Sequence, residues 1–171
     1  MILNDKFAQW IAVKTFSRHE KAVYDALKKK GIDLYLPIVR ELHKWHDRKK
    51  WVDVPLITTY VFANIKKSQL YQVNNEKGVV KAVSFGDNVS IVSDNEIEYM
   101  RRLVDSKKEL FVNSIKDLKK GARVRLLSPP FEGMEGYIIK DNPNGNFGVK
   151  IDSLSIMIYC EIEKELLQFI E

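Results

Sequence analysis

The stretch Trp10-Ile-Ala-Val-Lys-Thr-Phe-Ser-Arg-His-Glu20 holds the clearest change of pattern in the 171-residue chain. Its first six residues are apolar and rich in β-formers, which predicts a buried strand. Ser17 and Glu20 then have the spacing of a capping box, in which each side chain accepts from the other's backbone N–H. Apolar residues recur at helical spacing up to Gly31, which predicts a helix over residues 18–30. A strand that leads into a helix in this way indicates an α/β unit.

The alternation of strands and helices continues to about residue 105. Further strands are predicted at 34–39, 60–65 and 79–85, with a hairpin or long loop at 40–51, and further helices near 68–76 and after the capping box that begins at Ser93. Strands and helices that alternate over about 100 residues predict an α/β sandwich. The pattern ends over residues 106–116, which we interpret as a linker.

Residues 117–171 have a different character. Short alternating segments are separated by Pro, Gly and the turn sequence Asn142-Pro-Asn-Gly145. Residues 156–163 alternate with a period of two, and the prolines and glycines would repeatedly break a helix. These features predict a small all-β barrel. The predicted fold class is therefore α+β, with a first domain over 1–105, the linker over 106–116 and a second domain over 117–171.

Composition narrows the class of protein. Hydrophobic residues make up 45% of the chain, as in ordinary globular proteins, and no apolar run approaches the ~18–20 residues of a membrane span. The first residues lack a basic region followed by an apolar stretch, so no signal peptide is expected. Cys160 is the only cysteine and cannot form an internal disulfide, which fits a reducing cytosol. We expect a cytoplasmic protein with no membrane partner.

The excess of positive over negative charge is confined to the first part of the chain. Residues 1–105 contain 18 Lys+Arg and 13 Asp+Glu, whereas residues 106–171 contain 10 of each. This imbalance favours a polyanionic partner for the first part, although a net charge of +5 would also serve solubility alone. Trp45 and Trp51 flank the densest basic run, and such interleaving suits phosphate contact combined with base stacking. The candidate nucleic-acid contacts are Lys14, Arg18, His19, Lys21, Arg48, Lys49 and Lys50.

The sequence contains no recognisable catalytic set. It has no Gly-x-Gly-x-x-Gly, no phosphate loop and no His-Glu-x-x-His. His43-x-x-His46 followed by Asp47 is the strongest metal candidate, but a stable site needs three or four ligands and His19 belongs to a distant helix. Cys160 lies in a strand-like run and is interpreted as a small buried thiol. We therefore expect a protein that is not an enzyme and holds no metal or cofactor.

The motifs, taken in order, resemble the NusG family. The first strand and helix start of its N-terminal domain resemble residues 10–20, and its Pro-Gly-Tyr-Val strand resembles Pro55-Leu-Ile-Thr-Thr-Tyr60-Val-Phe62. Its fourth strand resembles Gly78-Val79 with Val83-Ser-Phe-Gly86, and the opening of its last helix resembles residues 91–97. Residues 120–136 resemble a KOW motif, carried by Gly121, Val124, Phe131, Gly133 and Gly136. The chain departs from the family at Thr59, Ala122 and Pro129, where glycine, aspartate and glycine are frequent.

The resemblance implies both a fold and a function. The fold would be an NGN-type α/β sandwich, an antiparallel sheet with helices, followed by a KOW barrel of the SH3-like kind. The function would be transcription elongation or antitermination at the nucleoid, with upstream or non-template DNA in contact with the first domain. Clamp helices of the largest RNA polymerase subunit would enter an apolar pocket, and the KOW domain would recruit ribosomal protein NusE or Rho. The residues that match the pocket are Trp10, Phe16, Tyr60, Phe62 and Phe85.

The stretch Trp45-His-Asp-Arg-Lys-Lys-Trp51 resembles specialised paralogues more than general NusG. It is most similar to the UpxY-type antiterminators of capsular-polysaccharide operons, which implies action at particular operons. The alternative is a KOW-containing ribosomal or RNA-binding protein. That alternative would explain a basic chain with a barrel, but not the segments at 10–20 and 60–62.

Overall fold

The computed structural model of the protein describes residues 3–44, 49–140 and 146–170. The chain forms two compact units, Met1–Ser93 and Asp94–Glu171. Within the described ranges, no helix is long and apolar enough to cross a membrane. The sequence predictions made for Trp45, His46, Asp47 and Arg48, and for the turn at 142–145, fall outside the described residues.

The first unit combines an antiparallel sheet, two short hairpins and two helices. Its strands are β1 (Gln9–Thr15), β2 (Asp33–Tyr35), β3 (Ile38–Lys44), β4 (Lys49–Pro55), β5 (Tyr60–Ile65), β6 (Val79–Ala82), β7 (Ser84–Phe85), β8 (Asn88–Val89) and β9 (Ile91–Val92). Its helices are α1 (Glu20–Lys29) and α2 (Leu70–Asn74), and a 3-10 turn at Lys67–Gln69 precedes α2.

The central sheet has the order β2-β5-β1-β6, and β9 also pairs with β1. β1 is central because its residues are apolar on both sides, with Ile11, Ala12 and Val13 completely buried. Ile11 and Val13 face a core that α1 completes with Val23 and Leu27. Burial of each such side chain contributes roughly 1.5–3 kcal/mol. The sheet therefore holds β1 rigidly in its middle.

Two predicted strands are divided in the structure. The segment 34–39 separates into β2 and β3 at Pro37, which has no N–H to donate and whose carbonyl accepts from Leu56 N at 2.8 Å. The segment 79–85 separates into β6 and β7, because β7 turns at Gly86 (φ 57) and pairs with β8 instead of the central sheet. The sequence predicts a hairpin or a long loop at 40–51, and the described part of this segment pairs as the β3–β4 ribbon, which supports the hairpin.

The second unit contains one long helix and an antiparallel sheet. Its elements are α3 (Asp94–Asp105), β10 (Phe111–Ser114), β11 (Lys119–Leu126), β12 (Glu135–Lys140), β13 (Phe147–Ile151), β14 (Ile156–Cys160) and β15 (Leu167–Phe169). The strand order is β10-β14-β13-β12-β11-β15. The strands β12 and β13 approach so closely that a Cβ at Gly136 would lie 2.4 Å from the carbonyl oxygen of Gly148.

The segment that the sequence assigns to a linker contains regular structure. Phe111–Ser114 forms β10, which pairs with β14, and Phe111 stacks on Tyr159 with ring centroids 5.4 Å apart. This pairing is invisible locally, because residues 106–116 have no periodic pattern and gain their strand from a partner over 40 residues away.

Helix α3 forms polar contacts with the second sheet and its turns. Glu96 Oε1 accepts from Asp152 N at 2.7 Å, and Tyr99 OH accepts from Glu135 N at 3.3 Å. The Arg102 guanidinium donates to the carbonyls of Pro130 and Glu132 at 2.5–2.8 Å. The compact units accordingly divide before α3, whereas the sequence placed residues 94–105 at the end of the first domain.

The predicted mixed α/β class with antiparallel sheets is confirmed. Residues 156–160 form strand β14 as their alternation predicted, and residues 167–169 form β15 after a 3-10 turn at Lys164–Leu166. The assignment of the second sheet to a KOW barrel stays a prediction.

Candidate functional site

Three of the five predicted pocket aromatics share one face of the central sheet. The register pairs Ala12 with Phe62 and Lys14 with Tyr60, so Trp10, Tyr60 and Phe62 point away from the core that Ile11 and Val13 face. Phe62 is fully buried and Trp10 nearly so, while Tyr60 is half-buried. Tyr60 is therefore the member of this set that reaches solvent.

The other two aromatics lie outside the central sheet and are exposed. Phe16 follows β1, is 56% exposed and makes an edge contact with the His19 ring at 6.0 Å between centroids. Phe85 is 73% exposed on the β7–β8 hairpin. A large exposed phenyl ring gains little from folding, so both rings are available to a partner.

A buried hydrogen bond fixes the entrance to β5. Glu20 is 5% exposed, and its Oε1 accepts from Thr59 N at 2.7 Å. Thr59 has φ 65, and its carbonyl accepts from Thr15 N at 2.8 Å. A threonine rarely adopts this left-handed conformation, which glycine adopts freely. These two hydrogen bonds therefore fix the backbone of Thr59 immediately before Tyr60 and the start of β5.

The predicted capping box at Ser17 and Glu20 is wrong. Helix α1 begins at Glu20 instead of residue 18, and its N-cap residue His19 makes no side-chain cap hydrogen bond in the described structure. Glu20 instead binds Thr59, 39 residues later. A local pattern could not reveal this contact, because the Glu20 carboxylate accepts from a residue that precedes β5 and is distant in sequence.

Several predicted nucleic-acid contacts gather near the end of β1 and the start of α1. Lys14, Arg18, His19 and Lys21 are all exposed. Arg18 has φ 65, and His19 Nδ1 lies 3.0 Å from the Ser17 carbonyl oxygen. These four basic side chains, which we call the basic rim, lie within five residues of Phe16 along the chain. Phe16 is one of the two exposed aromatics of the predicted pocket set.

Lys21 also connects this rim to the β3–β4 ribbon. Its Nζ donates to the carbonyl oxygen of Asp53 on β4 at 2.7 Å. Lys49 and Lys50 are exposed on the same strand, whereas Arg48 lies outside the described residues. This bond therefore joins the start of α1 to the base of the ribbon that carries Lys49 and Lys50.

The predicted KOW residues occupy structural positions. Val124 and Phe131 are buried, Gly133 has φ 78, and Gly136 leaves no room for a side chain. Gly121 is half-buried on β11. These residues shape the second unit and present no reactive group.

One ion cluster crosses β11 and β12. Arg123 and Arg125 each place a guanidinium nitrogen 2.6 Å from the Glu135 carboxylate. The hydrogen bond from Arg125, with the charge of Arg123, lowers the pKa of Glu135 below its ordinary value. All three side chains are partly exposed, so the cluster fixes the strand pair without forming a buried charge site.

The remaining candidates for chemistry lack the groups that chemistry needs. Burial raises the pKa of the Cys160 thiol to about 11, which keeps it protonated and a poor nucleophile at neutral pH. His43 Nε2 lies 3.4 Å from Glu41 Oε2, while His46 is outside the described residues. In the described part of the chain, no three His, Cys, Asp or Glu side chains are placed to hold a metal ion.

The first unit thus presents exposed aromatic rings and basic groups, which are features of a binding protein. A family model described as "Transcription termination factor nusG" matches residues 8–101. Because this match covers more than half of the chain, the protein belongs to the NusG family of transcription factors, whose members are not enzymes. A comparison with curated proteins gave no match.

One solved structure has a similar fold. The structure described as "Domain interaction in Thermotoga maritima NusG" is 24% identical and covers 96% of this chain and 98% of its own, with a TM-score of 0.54. Two structures of an MjSpt4:Spt5 complex are 15% and 14% identical over 95% of this chain and 98% and 97% of theirs. Their TM-scores of 0.30 and 0.31 are too low to establish a shared overall fold.

Proposed function

We propose that this protein is a transcription elongation factor that binds the clamp helices of the largest RNA polymerase subunit through its first domain. The observation that carries the proposal is the NusG family match over residues 8–101. That match extends into α3, which supports a functional first domain that ends near residue 105. Residues 117–171 are assigned to a KOW domain on the resemblance of residues 120–136 to a KOW motif. A ribosomal or RNA-binding role for the KOW domain alone would leave the family match unexplained.

The polymerase contact is assigned to Phe16, Tyr60 and Phe85. Phe16 and Phe85 are exposed and Tyr60 is half-buried, so these rings can lose solvent contact when a helix binds. Trp10 and Phe62 are already buried, and their role is to support the sheet face that carries Tyr60. Binding in this way holds the polymerase in a processive state and involves no covalent chemistry.

The basic rim of Lys14, Arg18, His19 and Lys21, together with Lys49 and Lys50, is assigned to upstream or non-template DNA. All six side chains are exposed in the part of the chain with excess positive charge. The resemblance of residues 45–51 to UpxY-type antiterminators supports action at particular operons. The KOW domain would then recruit NusE or Rho.

Affinity for a clamp-helix peptide tests the polymerase contact. Loss of one hot-spot ring costs about 2 kcal/mol or more, so Phe85→Ala should bind about 30-fold more weakly. Tyr71→Ala is the matched control, because Tyr71 is an 80% exposed aromatic on α2 that belongs to neither assigned surface. Equal affinity of Phe85→Ala and the wild type would remove Phe85 from the contact. Occupancy mapped across transcribed genes tests operon specificity, and uniform occupancy would contradict it.

A further inference from the structure

The β3–β4 ribbon exposes both of its faces. Within the described residues, β3 and β4 pair only with each other, and the side chains from Arg40 to Lys44 are all exposed. Two contacts fix the base of the ribbon: Leu56 N donates to the Pro37 carbonyl at 2.8 Å, and Lys21 Nζ donates to the Asp53 carbonyl. The ribbon is therefore anchored at one end and open to solvent towards the other.

The strand register sorts the ribbon's side chains into two different faces. Residues directly opposite each other in an antiparallel pair lie on the same face. One face, which we call the tryptophan face, carries three successive pairs that run outward from the base: Arg40 with Asp53, Leu42 with Trp51, and Lys44 with Lys49. The other face carries Val39 with Val54, Glu41 with Val52, and His43 with Lys50.

The tryptophan face combines an apolar platform with cations. Trp51 is 57% exposed and Leu42 is 41% exposed, so neither serves a core. The pair Arg40–Asp53 neutralises itself at the base, with Nε 3.5 Å from Oδ1. Lys44 and Lys49 lie about 7 Å further along the ribbon, and both are exposed. A flat aromatic ring beside two cations that form no ion pair with another described residue is complementary to an unstacked base with its phosphates.

The geometry points to the tryptophan face as a docking site for single-stranded DNA, in which a base stacks on Trp51 against Leu42 and the flanking phosphates bind Lys44 and Lys49. This inference rests on the proposed DNA contact and refines it. It adds Trp51, Leu42 and Lys44 to that contact, and it gives Lys50 no part in the stacking because Lys50 lies on the opposite face. Duplex DNA keeps its bases stacked and cannot use Trp51. A protein partner fits less well, since two apolar side chains are a small part of the ~800 Å² that each partner buries in a stable interface.

Binding of a twelve-residue oligothymidine to the full-length protein, measured by anisotropy over a salt series, tests the site. Trp51→Ala should bind it at least about fivefold more weakly with an unchanged salt slope, and Trp51→Phe should retain most of the affinity. The double substitution Lys44→Gln with Lys49→Gln should reduce the slope by about 1.4, since each lost phosphate contact removes about 0.7. Tyr71→Ala and Lys77→Gln are the controls for aromatic and charge loss. Both residues are exposed and belong to neither the assigned polymerase contact nor the assigned DNA contact, so both variants should bind like the wild type.

Several results would overturn the inference. These are an oligothymidine that does not bind the wild type, equal losses for Trp51→Ala and Trp51→Phe, or an effect of Lys77→Gln as large as that of the Lys44 and Lys49 pair. A much tighter complex with oligouridine would replace DNA by RNA. A cross-link from position 51 to a polymerase subunit, and not to DNA, in an elongation complex would indicate a protein partner. The affinity of Trp51→Ala for the clamp-helix peptide should match that of the wild type. A wild type that binds oligothymidine but not the peptide would contradict only the proposed polymerase contact.

Discussion

Thr59→Gly should stabilise the protein, although it removes a side chain. Thr59 has φ 65, a conformation that costs a residue with a Cβ roughly 1–2 kcal/mol. Glycine removes that cost but gives the unfolded chain extra freedom worth about 0.4–1 kcal/mol. The backbone bonds to Glu20 and Thr15 do not depend on the side chain, so both are kept. The free energy of unfolding should therefore rise by about 0.5–1 kcal/mol.

Urea denaturation of the full-length chain measures this change as a higher midpoint at constant m-value. The melting temperature should rise by about 2 °C, given about 2–4 °C per kcal/mol for a chain of this size. Thr58→Gly is the matched control, since Thr58 is an exposed neighbour without a positive φ and should lose about 0.4–1 kcal/mol. If Thr59→Gly destabilises the protein as much as Thr58→Gly, the left-handed conformation is not a source of strain and the reasoning fails.

Three further predictions concern the second unit. Gly136→Ala should cost about 1–3 kcal/mol in urea denaturation, because the new Cβ would lie 2.4 Å from the Gly148 carbonyl oxygen; a loss below about 0.5 kcal/mol would contradict that approach. The lowered pKa of Glu135 stabilises the fold above the ordinary value of 4.5, and this contribution is lost as pH falls through the lower folded-state pKa. Glu135→Gln should therefore show a flatter decline of stability below pH 4.5 than the wild type, and superimposable pH profiles would refute the role of the Arg123 and Arg125 cluster. Cys160 should react with a thiol reagent at pH 8 only after unfolding, because it is buried with a pKa of about 11; rapid reaction of the native protein would show that the thiol is accessible.

The sequence predicts elements best where the local pattern and the long-range partner agree. Tyr60–Ile65 is apolar and β-rich, and it forms β5 in the middle region of the sheet as expected. The alternation of residues 156–160 likewise gives β14. In both segments most apolar side chains are buried, and in β14 they are buried on both faces of the strand. The same apolar residues therefore satisfy strand geometry and core packing.

Predictions fail where a distant residue decides the local structure. Glu20 has the spacing of a cap but binds Thr59, and Phe111 lies in a patternless segment but stacks on Tyr159. The prediction of the site from the sequence was limited in the same way. The sequence grouped five aromatics as one pocket, and only the folded structure shows that Trp10 and Phe62 are buried while Phe85 is exposed.

The tryptophan face illustrates the same limit in the basic run. The sequence places Lys49, Lys50 and Trp51 together, and adjacency suggests that all three meet one ligand. Alternation along β4 puts Lys50 on the other face, while Lys44 joins from β3. Spacing alone could have separated Lys50 from Trp51, but it could not have identified Lys44 as the neighbour of Lys49 without the pairing register.

The pairing of β10 with β14 determines which fragments of the second unit would expose an unpaired strand edge. β14 carries buried residues along most of its length, and β10 occupies the side of it that β13 leaves open. A fragment that began at residue 117 would lose β10, so β14 would present unpaired N–H and C=O groups beside a Tyr159 ring that had lost Phe111. Bare strand edges recruit strands from other molecules, and such a fragment should self-associate. A fragment that begins at residue 94 keeps both β10 and α3, and it should self-associate less than the fragment that begins at residue 117.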